Sequence, residues 1–102
     1  MNKISCVTFF SNFSNLTRLN ILYALKNKEC EVNKLSKELE IEQSLVSHNL
    51  KKLQRCNLVF AKRIGKTKRY ALNKNIALPI LKAYEKYVWD KHCKKCKFIK
   101  NT

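Results

Sequence analysis

The segment of residues 43–55 constrains the fold of this chain more than any other segment. Its apolar side chains Val46, Leu50 and Leu53 follow one another at steps of four and three residues, which is the spacing of one face of an α-helix. The opposite face of this helix is polar at its start and basic towards its end. We therefore predict a helix that packs on a core with one face and binds a polar partner with the other.

The residues that follow this helix predict a β-hairpin. Asn57 stands where many helices end in a left-handed residue, and Asn is the best substitute for Gly at such a position. Residues 58–63 and 68–72 are short, strand-like segments, and the connection between them contains Gly65, the only glycine of the chain. Two short strands around a glycine-containing connection are typical of a hairpin.

The rest of the chain is expected to be largely helical. Helical spacing of apolar residues is found in residues 3–13, 16–26, 34–39 and 76–92. Asn15 and Asn33 are the expected N-cap residues of the second and third helices. Pro79 is compatible only with the first turn of the last helix.

The order of these elements predicts a mainly α fold with a small β-hairpin, which is the winged helix-turn-helix arrangement. Its two-stranded wing lies between helices 4 and 5 of five helices. The length fits a single domain, over residues 1–92, with a basic C-terminal tail over residues 93–102. We expect the terminal helices to serve in dimerisation, because a core of this size is modest.

The charge of the chain implies a polyanionic partner. The net charge of +15 comes from 22 basic and 7 acidic residues, which favours nucleic acid first and an anionic membrane surface second. Residues 51–74 hold nine basic residues and no acidic one. The positive charge is therefore a localised patch rather than a uniform coat.

Neither a membrane span nor a secretion signal is expected. No stretch approaches the roughly 20 consecutive apolar residues that cross a bilayer, and the start of the chain lacks the continuous apolar run of a signal peptide. Five scattered cysteines are an odd number and do not form the framework of a secreted domain. We predict an intracellular, cytoplasmic protein with no membrane partner.

The polar face of the central helix and the tip of the hairpin together predict a surface for double-stranded DNA. Polar side chains exchange hydrogen bonds with base edges, and basic ones reach phosphates. The predicted contacts of the recognition helix are Gln43, Ser44, Leu45, Ser47, His48, Lys51, Lys52 and Arg55. Those of the wing are Lys62, Arg63, Lys66, Lys68 and Arg69. The alternative for the wing is a solvated charge run, and Leu45 either contacts a thymine methyl or packs on the preceding helices.

Three stretches resemble the ArsR/SmtB family of winged helix-turn-helix repressors. Residues 13–22 (FSNLTRLNIL) are similar to the second helix of the family, residues 43–53 (QSLVSHNLKKL) to its recognition helix, and residues 57–72 to its wing. The resemblance implies a homodimer that represses transcription from a dyad-symmetric operator until an effector, often a metal or metalloid ion, releases it. It also implies a dimer interface on the terminal helices, for which the candidates are Ile4, Val7, Phe10, Ile80, Leu81, Tyr84 and Val88.

This chain departs from the family pattern at the residue before the recognition helix and at the pair of positions where metal-sensing members bind metal. Glu42 stands where the family often has a Ser that caps the recognition helix, and DNA would repel its carboxylate unless it caps that helix or turns away. Metal-sensing members have a Cys-Val-Cys-type pair where this chain has Glu31 and Asn33, and Cys30 lies one residue away. The metalloid site of the family is therefore not carried over.

A CxxC pair near the C-terminus offers a different candidate for metal. Cys93 and Cys96, with His92 beside them, could bind one ion, but zinc takes about four ligands. The missing ligands would come from Cys6 or from a second subunit. The alternative is that the two cysteines are free thiols in a lysine-rich tail. No cofactor is required, and zinc or another thiophilic metal is the possibility that this pair leaves open.

An enzyme is not expected. The sequence has no Gly-rich phosphate loop, no HExxH motif and no acid pair beside a nucleophile. It predicts a homodimeric, sequence-specific DNA-binding transcriptional regulator, most simply a repressor. The alternatives are a winged-helix module that docks protein or RNA, and a non-specific architectural DNA binder.

Overall fold

Five helices and three strands make up the described part of the chain. The computed structural model describes the backbone of residues 3–91 and the side chains of residues 6–87. The elements are α1 (Lys3–Ser11), α2 (Leu16–Asn27), β1 (Cys30–Glu31), α3 (Val32–Leu39), α4 (Gln43–Arg55), β2 (Val59–Ile64), β3 (Thr67–Leu72) and α5 (Lys74–Lys91). The strands form one antiparallel sheet in the order β1-β3-β2.

Strand β1 is the element that the sequence analysis did not predict. Its residues Cys30 and Glu31 pair with Tyr70 and Arg69 of β3, so the sheet has three strands instead of the expected two. Two residues are too few to show the alternation by which a strand is recognised in a sequence. The wing is thus the β2–β3 hairpin of a sheet that also includes the segment before α3.

The starts of two helices also differ from the prediction. Helix α3 begins at Val32, and Asn33 lies inside its first turn instead of capping it. The N-cap is Glu31, whose backbone is extended because it also belongs to β1. The pairing of β1 therefore fixes where α3 begins.

Helix α5 begins at Lys74, so Pro79 lies in its second turn and not in its first. The main-chain oxygen of Asn73 accepts the N–H of Ala77 at 2.9 Å and starts the helix early. Proline leaves the carbonyl four residues before it without a donor. That carbonyl belongs to Asn75, an exposed residue, so water can bind it and the helix continues.

The core lies between the helices and one face of the sheet. Val46, Leu50 and Leu53 of α4 are fully buried, which confirms the predicted apolar face. The other buried apolar residues include Ile21, Leu22, Leu25, Leu35, Leu58, Val59, Leu72, Ala77 and Leu81. None of the helices within residues 3–91 is long and apolar enough to span a bilayer.

A sharp turn sets the direction in which α4 leaves α3. Glu40 has a left-handed φ of 57°, and its N–H donates to the carbonyl of Ser36. The N–H of Ile41 donates to the same carbonyl at 3.1 Å. These bonds end α3 at Leu39, and three residues, 40–42, separate it from the start of α4 at Gln43.

The far end of α4 is closed by Asn57, whose φ of 61° confirms the predicted left-handed position. The N–H of Asn57 donates to the carbonyl of Gln54 at 3.0 Å, and the N–H of Leu58 donates to that of Leu53 at 2.9 Å. This pair of bonds is the Schellman pattern. The side-chain Nδ2 of Asn73 donates to the main-chain carbonyl of Asn57 at 2.7 Å, which joins the end of α4 to the start of α5.

Candidate nucleic-acid interface

The outer face of α4 is open to solvent along its length. Of the predicted contacts, six are exposed: Gln43, Ser44, Leu45, His48, Lys51 and Arg55. Ser47 and Lys52 are half-buried on the flanks. Leu45 keeps 44% of its surface exposed, so its side chain is available for an apolar contact such as a thymine methyl.

The one buried amide of α4 is satisfied inside the helix. Asn49 is 5% exposed, and its Nδ2 donates to the carbonyl of Leu45 at 2.9 Å. A buried polar group that already has a hydrogen-bond partner within the protein does not need one from a ligand. Asn49 therefore belongs to the packed side of the helix, and the groups that could read bases lie on the opposite side.

Glu42 does not cap α4. It is the N-cap residue by position, but its side chain makes no cap hydrogen bond. Its carboxylate is exposed and, among the side chains of residues 6–87, accepts only a long hydrogen bond, of 3.5 Å, from Ser44 Oγ. Of the two ways in which Glu42 could tolerate DNA, capping the helix is therefore not the one realised in this structure.

The hairpin sorts the predicted wing residues into two faces. Arg63 lies opposite Lys68, and Lys62 lies opposite Arg69. Side chains alternate between the faces of a strand, and Tyr70, two residues from Lys68, is buried. The Arg63–Lys68 pair therefore extends the core-facing side of the sheet, whereas the Lys62–Arg69 pair lies on the outer side.

The tip of the wing is a two-residue connection. Gly65 has a φ of +64°, a conformation that residues with a Cβ rarely adopt. Lys66 follows it and is exposed. Lys66 therefore lies in the connection at the end of the hairpin, outside the paired residues of both strands.

The basic groups of the wing differ in their partners. Lys62 Nζ lies 2.6 Å from Glu29 Oε2, and Lys68 Nζ lies over the ring of Tyr70 at 5.7 Å from its centroid. Within residues 6–87, no carboxylate forms an ion pair with Arg63 or Lys66. Like charges that face each other across a hairpin repel, and a nearby phosphate backbone would relieve that repulsion.

Comparisons with known proteins agree on one family. Residues 15–60 match the model of the bacterial regulatory proteins of the arsR family. A transcriptional repressor SmtB homolog of Synechocystis is 34% identical over 67 residues, which are 66% of this chain and 51% of that protein. The crystal structure of NolR from Sinorhizobium fredii has a TM-score of 0.75 and 32% identity over 80% of this chain and 82% of that chain. This chain belongs to the ArsR family.

Membership of the ArsR family confirms the predicted resemblance and the winged helix-turn-helix fold. The homodimeric winged helix-turn-helix DNA-binding domain Mb0332 from Mycobacterium bovis shares the fold, with a TM-score of 0.70 and 24% identity over 87% of each chain. The matching model describes bacterial regulatory proteins, so the family to which the chain belongs is one of regulators. The chain spans about half of the length of the SmtB homolog that it matches.

The terminal helices carry exposed apolar side chains, as expected for an ArsR-type dimer interface. Val7 and Phe10 of α1 are 69% and 62% exposed. Ile80 and Tyr84 of α5 are half-buried and line an open groove of about 300 Å³ between α5 and the start of α2. The other lining residues are Phe13, Ser14, Asn15, Leu16 and Leu19. Ile4 and Val88 lie outside the residues whose side chains are described.

Leu81 is the one predicted interface residue that requires a correction. It is 1% exposed and belongs to the core of the protomer itself. It follows Ile80 by one residue and is therefore rotated by about 100° around the helix, to the side of Ala77, which is also buried. A partner subunit would not reach Leu81 on this surface.

The residues of this chain do not fit the metalloid site of metal-sensing ArsR proteins. Glu31 and Asn33 offer no thiolate at the positions of the family's cysteine pair. Cys30 is buried beside them in β1, and burial raises the pKa of its thiol. Within residues 6–87, no group of three His, Cys, Asp or Glu side chains could hold a metal ion.

The CxxC pair lies outside this region. Cys93, Cys96 and His92 are not among the described residues, so the zinc or thiophilic-metal site at that position stays a prediction.

Glu29 is the residue near the interface that the sequence analysis missed. The acidic block that begins there is visible in the sequence, but its contact with the wing spans 33 positions. Hydrogen bonding to Lys62 and the charge of Lys62, followed by the charges of Arg69 and Lys74, lower the pKa of the Glu29 carboxyl. The contact depends on β1, which is too short to be recognised from the sequence.

Proposed function

We propose that this chain regulates transcription by binding double-stranded DNA as a homodimer, with α4 in the major groove. The observation that carries the proposal is the exposed polar and basic face of α4, held in place by three fully buried residues on its other face: Val46, Leu50 and Leu53. A recognition helix has to present its side chains at fixed positions, and burial of its anchor face provides that rigidity.

The side chains of α4 divide into two groups by chemistry. Gln43 and His48 donate to and accept from base edges, and Leu45 contacts a thymine methyl. Lys51 and Arg55 lie further along the same exposed face and suit phosphates. The first group would determine which sequence is bound, and the second would position the helix on the backbone.

The wing supplies contacts that do not depend on sequence. Arg63 and Lys66 have no carboxylate partner within residues 6–87 and lie at or near the tip. Each lysine or arginine that neutralises a phosphate releases condensed counterions, so binding weakens as salt rises. We therefore assign the wing to the DNA backbone or the minor groove.

The dimer is proposed on the exposed apolar surface of the terminal helices. Val7, Phe10 and the groove beside Ile80 and Tyr84 would be covered by a second copy. The homodimeric state of the Mycobacterium bovis domain supports this arrangement. Two α4 helices about 34 Å apart would read a near-palindromic operator. Repression is the proposed outcome, as the name of the Synechocystis repressor homolog suggests.

Selection of bound duplexes from a random DNA pool, followed by sequencing, tests this proposal. The purified protein is expected to enrich a motif with dyad symmetry at about physiological salt. The spacing of the half-sites then measures the separation of the two α4 helices. Binding without enrichment that disappears as salt rises would instead identify a non-specific architectural protein, and no binding would favour a module that docks protein.

A further inference from the structure

The carboxylate of Glu29 lies among the basic groups at the base of the wing. Its Oε2 is 2.6 Å from Lys62 Nζ. Glu29 directly precedes β1, in which Glu31 lies opposite Arg69, and Arg69 lies opposite Lys62. The three strands thus bring these side chains to the outer side of the sheet. Lys74 stands two residues beyond the end of β3.

The charges around Glu29 are those of an anion-binding site. Lys62 and Arg69 face each other across the hairpin, an arrangement in which like charges repel unless an anion lies between them. Lys62, Arg69 and Lys74 all favour the ionised carboxylate and lower its pKa. Ammonium and guanidinium groups are the groups that proteins use to bind phosphate. Glu31, opposite Arg69, is a second carboxylate on the same side of the sheet.

We propose that Lys62 and Arg69 form a binding site for a DNA backbone phosphate, which Glu29 occupies in the free protein. The inference rests on the proposed function, since the phosphate belongs to the bound duplex. The Lys62 and Glu29 side chains are 52% and 35% exposed, and exposed ion pairs are weak. A phosphate can therefore take the place of the carboxylate.

This exchange gives Glu29 a role in setting affinity. In a chain with a net charge of +15, sequence-independent attraction to DNA is strong. A carboxylate that competes with phosphate for Lys62 reduces that attraction at the wing.

The substitution Glu29→Gln, compared with Glu38→Gln, tests the site. Both remove one negative charge, but Glu38 is exposed on α3 and forms no ion pair within residues 6–87. Binding of a random duplex is measured by fluorescence anisotropy over a range of salt concentrations. One additional phosphate contact steepens the slope of log K against log salt by about 0.9 and gives about fivefold tighter binding at 0.15 M salt. We expect this change for Glu29→Gln and not for Glu38→Gln.

A double-mutant cycle with Lys62→Gln distinguishes competition from a general effect of charge. With Glu29 present, Lys62→Gln is expected to weaken DNA binding only slightly, because the carboxylate already engages the lysine. In the Glu29→Gln background the same change should remove the additional contact. Effects of the two substitutions that simply add would overturn the proposal.

A measurement without DNA separates this inference from the proposed function. In an NMR titration of the DNA-free protein, Lys62→Gln should raise the pKa of the Glu29 carboxyl, and an unchanged pKa would overturn the site. A wild-type protein that binds no duplex even at low salt would overturn both proposals. A wild type that binds, with equal salt slopes for Glu29→Gln and Glu38→Gln, would overturn the phosphate site alone.

Discussion

Two leucines of α4 test the division of that helix into an anchor face and a binding face. Leu50 is fully buried, whereas Leu45 is 44% exposed. Burial of a leucine side chain contributes about 1.5–3 kcal/mol, and the cavity left by truncation raises the measured loss to about 3–5 kcal/mol. We therefore expect Leu50→Ala to lower the free energy of unfolding by about 3 kcal/mol or more, a large part of the roughly 5–15 kcal/mol that stabilises a domain.

Leu45→Ala is the matched control on the same helix. It should change the free energy of unfolding by no more than about 0.5 kcal/mol and yet weaken binding to the selected operator. Urea denaturation followed by circular dichroism measures the first quantity, at several protein concentrations because the stability of the proposed dimer would depend on concentration. A loss below about 1 kcal/mol for Leu50→Ala, or equal losses for the two variants, would refute the assignment of the two faces.

Three further predictions concern readout, backbone conformation and pH. Gln43→Ala and His48→Ala should relax sequence preference while Lys66→Ala weakens binding to all duplexes alike; equal effects of all three on operator and random DNA in competition assays would contradict this. Asn57 has a φ of 61°, so Asn57→Val should lower the free energy of unfolding by about 1–2 kcal/mol and Asn57→Gly should not, as thermal denaturation can show. Burial raises the pKa of the Tyr23 hydroxyl, so as pH rises the unfolded chain loses the Tyr23 proton before the folded protein does. The free energy of unfolding should therefore fall above about pH 10. In urea titrations at pH 8 and 11, Tyr23→Phe should show a smaller fall in the free energy of unfolding.

Several features that depend on neighbouring residues were predicted correctly. The steps of four and three between Val46, Leu50 and Leu53 determine a helix face, and all three are buried. Asn57 ends α4 in the left-handed conformation, and Asn15 accepts a hydrogen bond from the N–H of Arg18 at the start of α2. Such signals lie within one or two turns of helix, so the sequence contains all the groups that take part.

Features that depend on distant segments were not predicted. Strand β1 exists because Cys30 and Glu31 pair with Tyr70 and Arg69 of β3, and this pairing also sets the start of α3 at Val32. Leu81 belongs to the same apolar stripe as Ile80 in the sequence, but packing against the protomer core buries it. Periodicity identifies an apolar stripe, but it does not show which part of the stripe packs on the core of the protomer and which part stays exposed.

The sequence by itself determined the helices, the hairpin and the buried and exposed faces of α4, because local spacing and turn residues encode them. Only the tertiary structure decided how the charges of the wing are partnered. Lys62 and Glu29 are 33 positions apart and meet because β1 pairs with β3, which in turn pairs with β2. Each strand pairing is fixed by the packing of the whole sheet on the core, so no local pattern in the sequence reveals which acid meets which base.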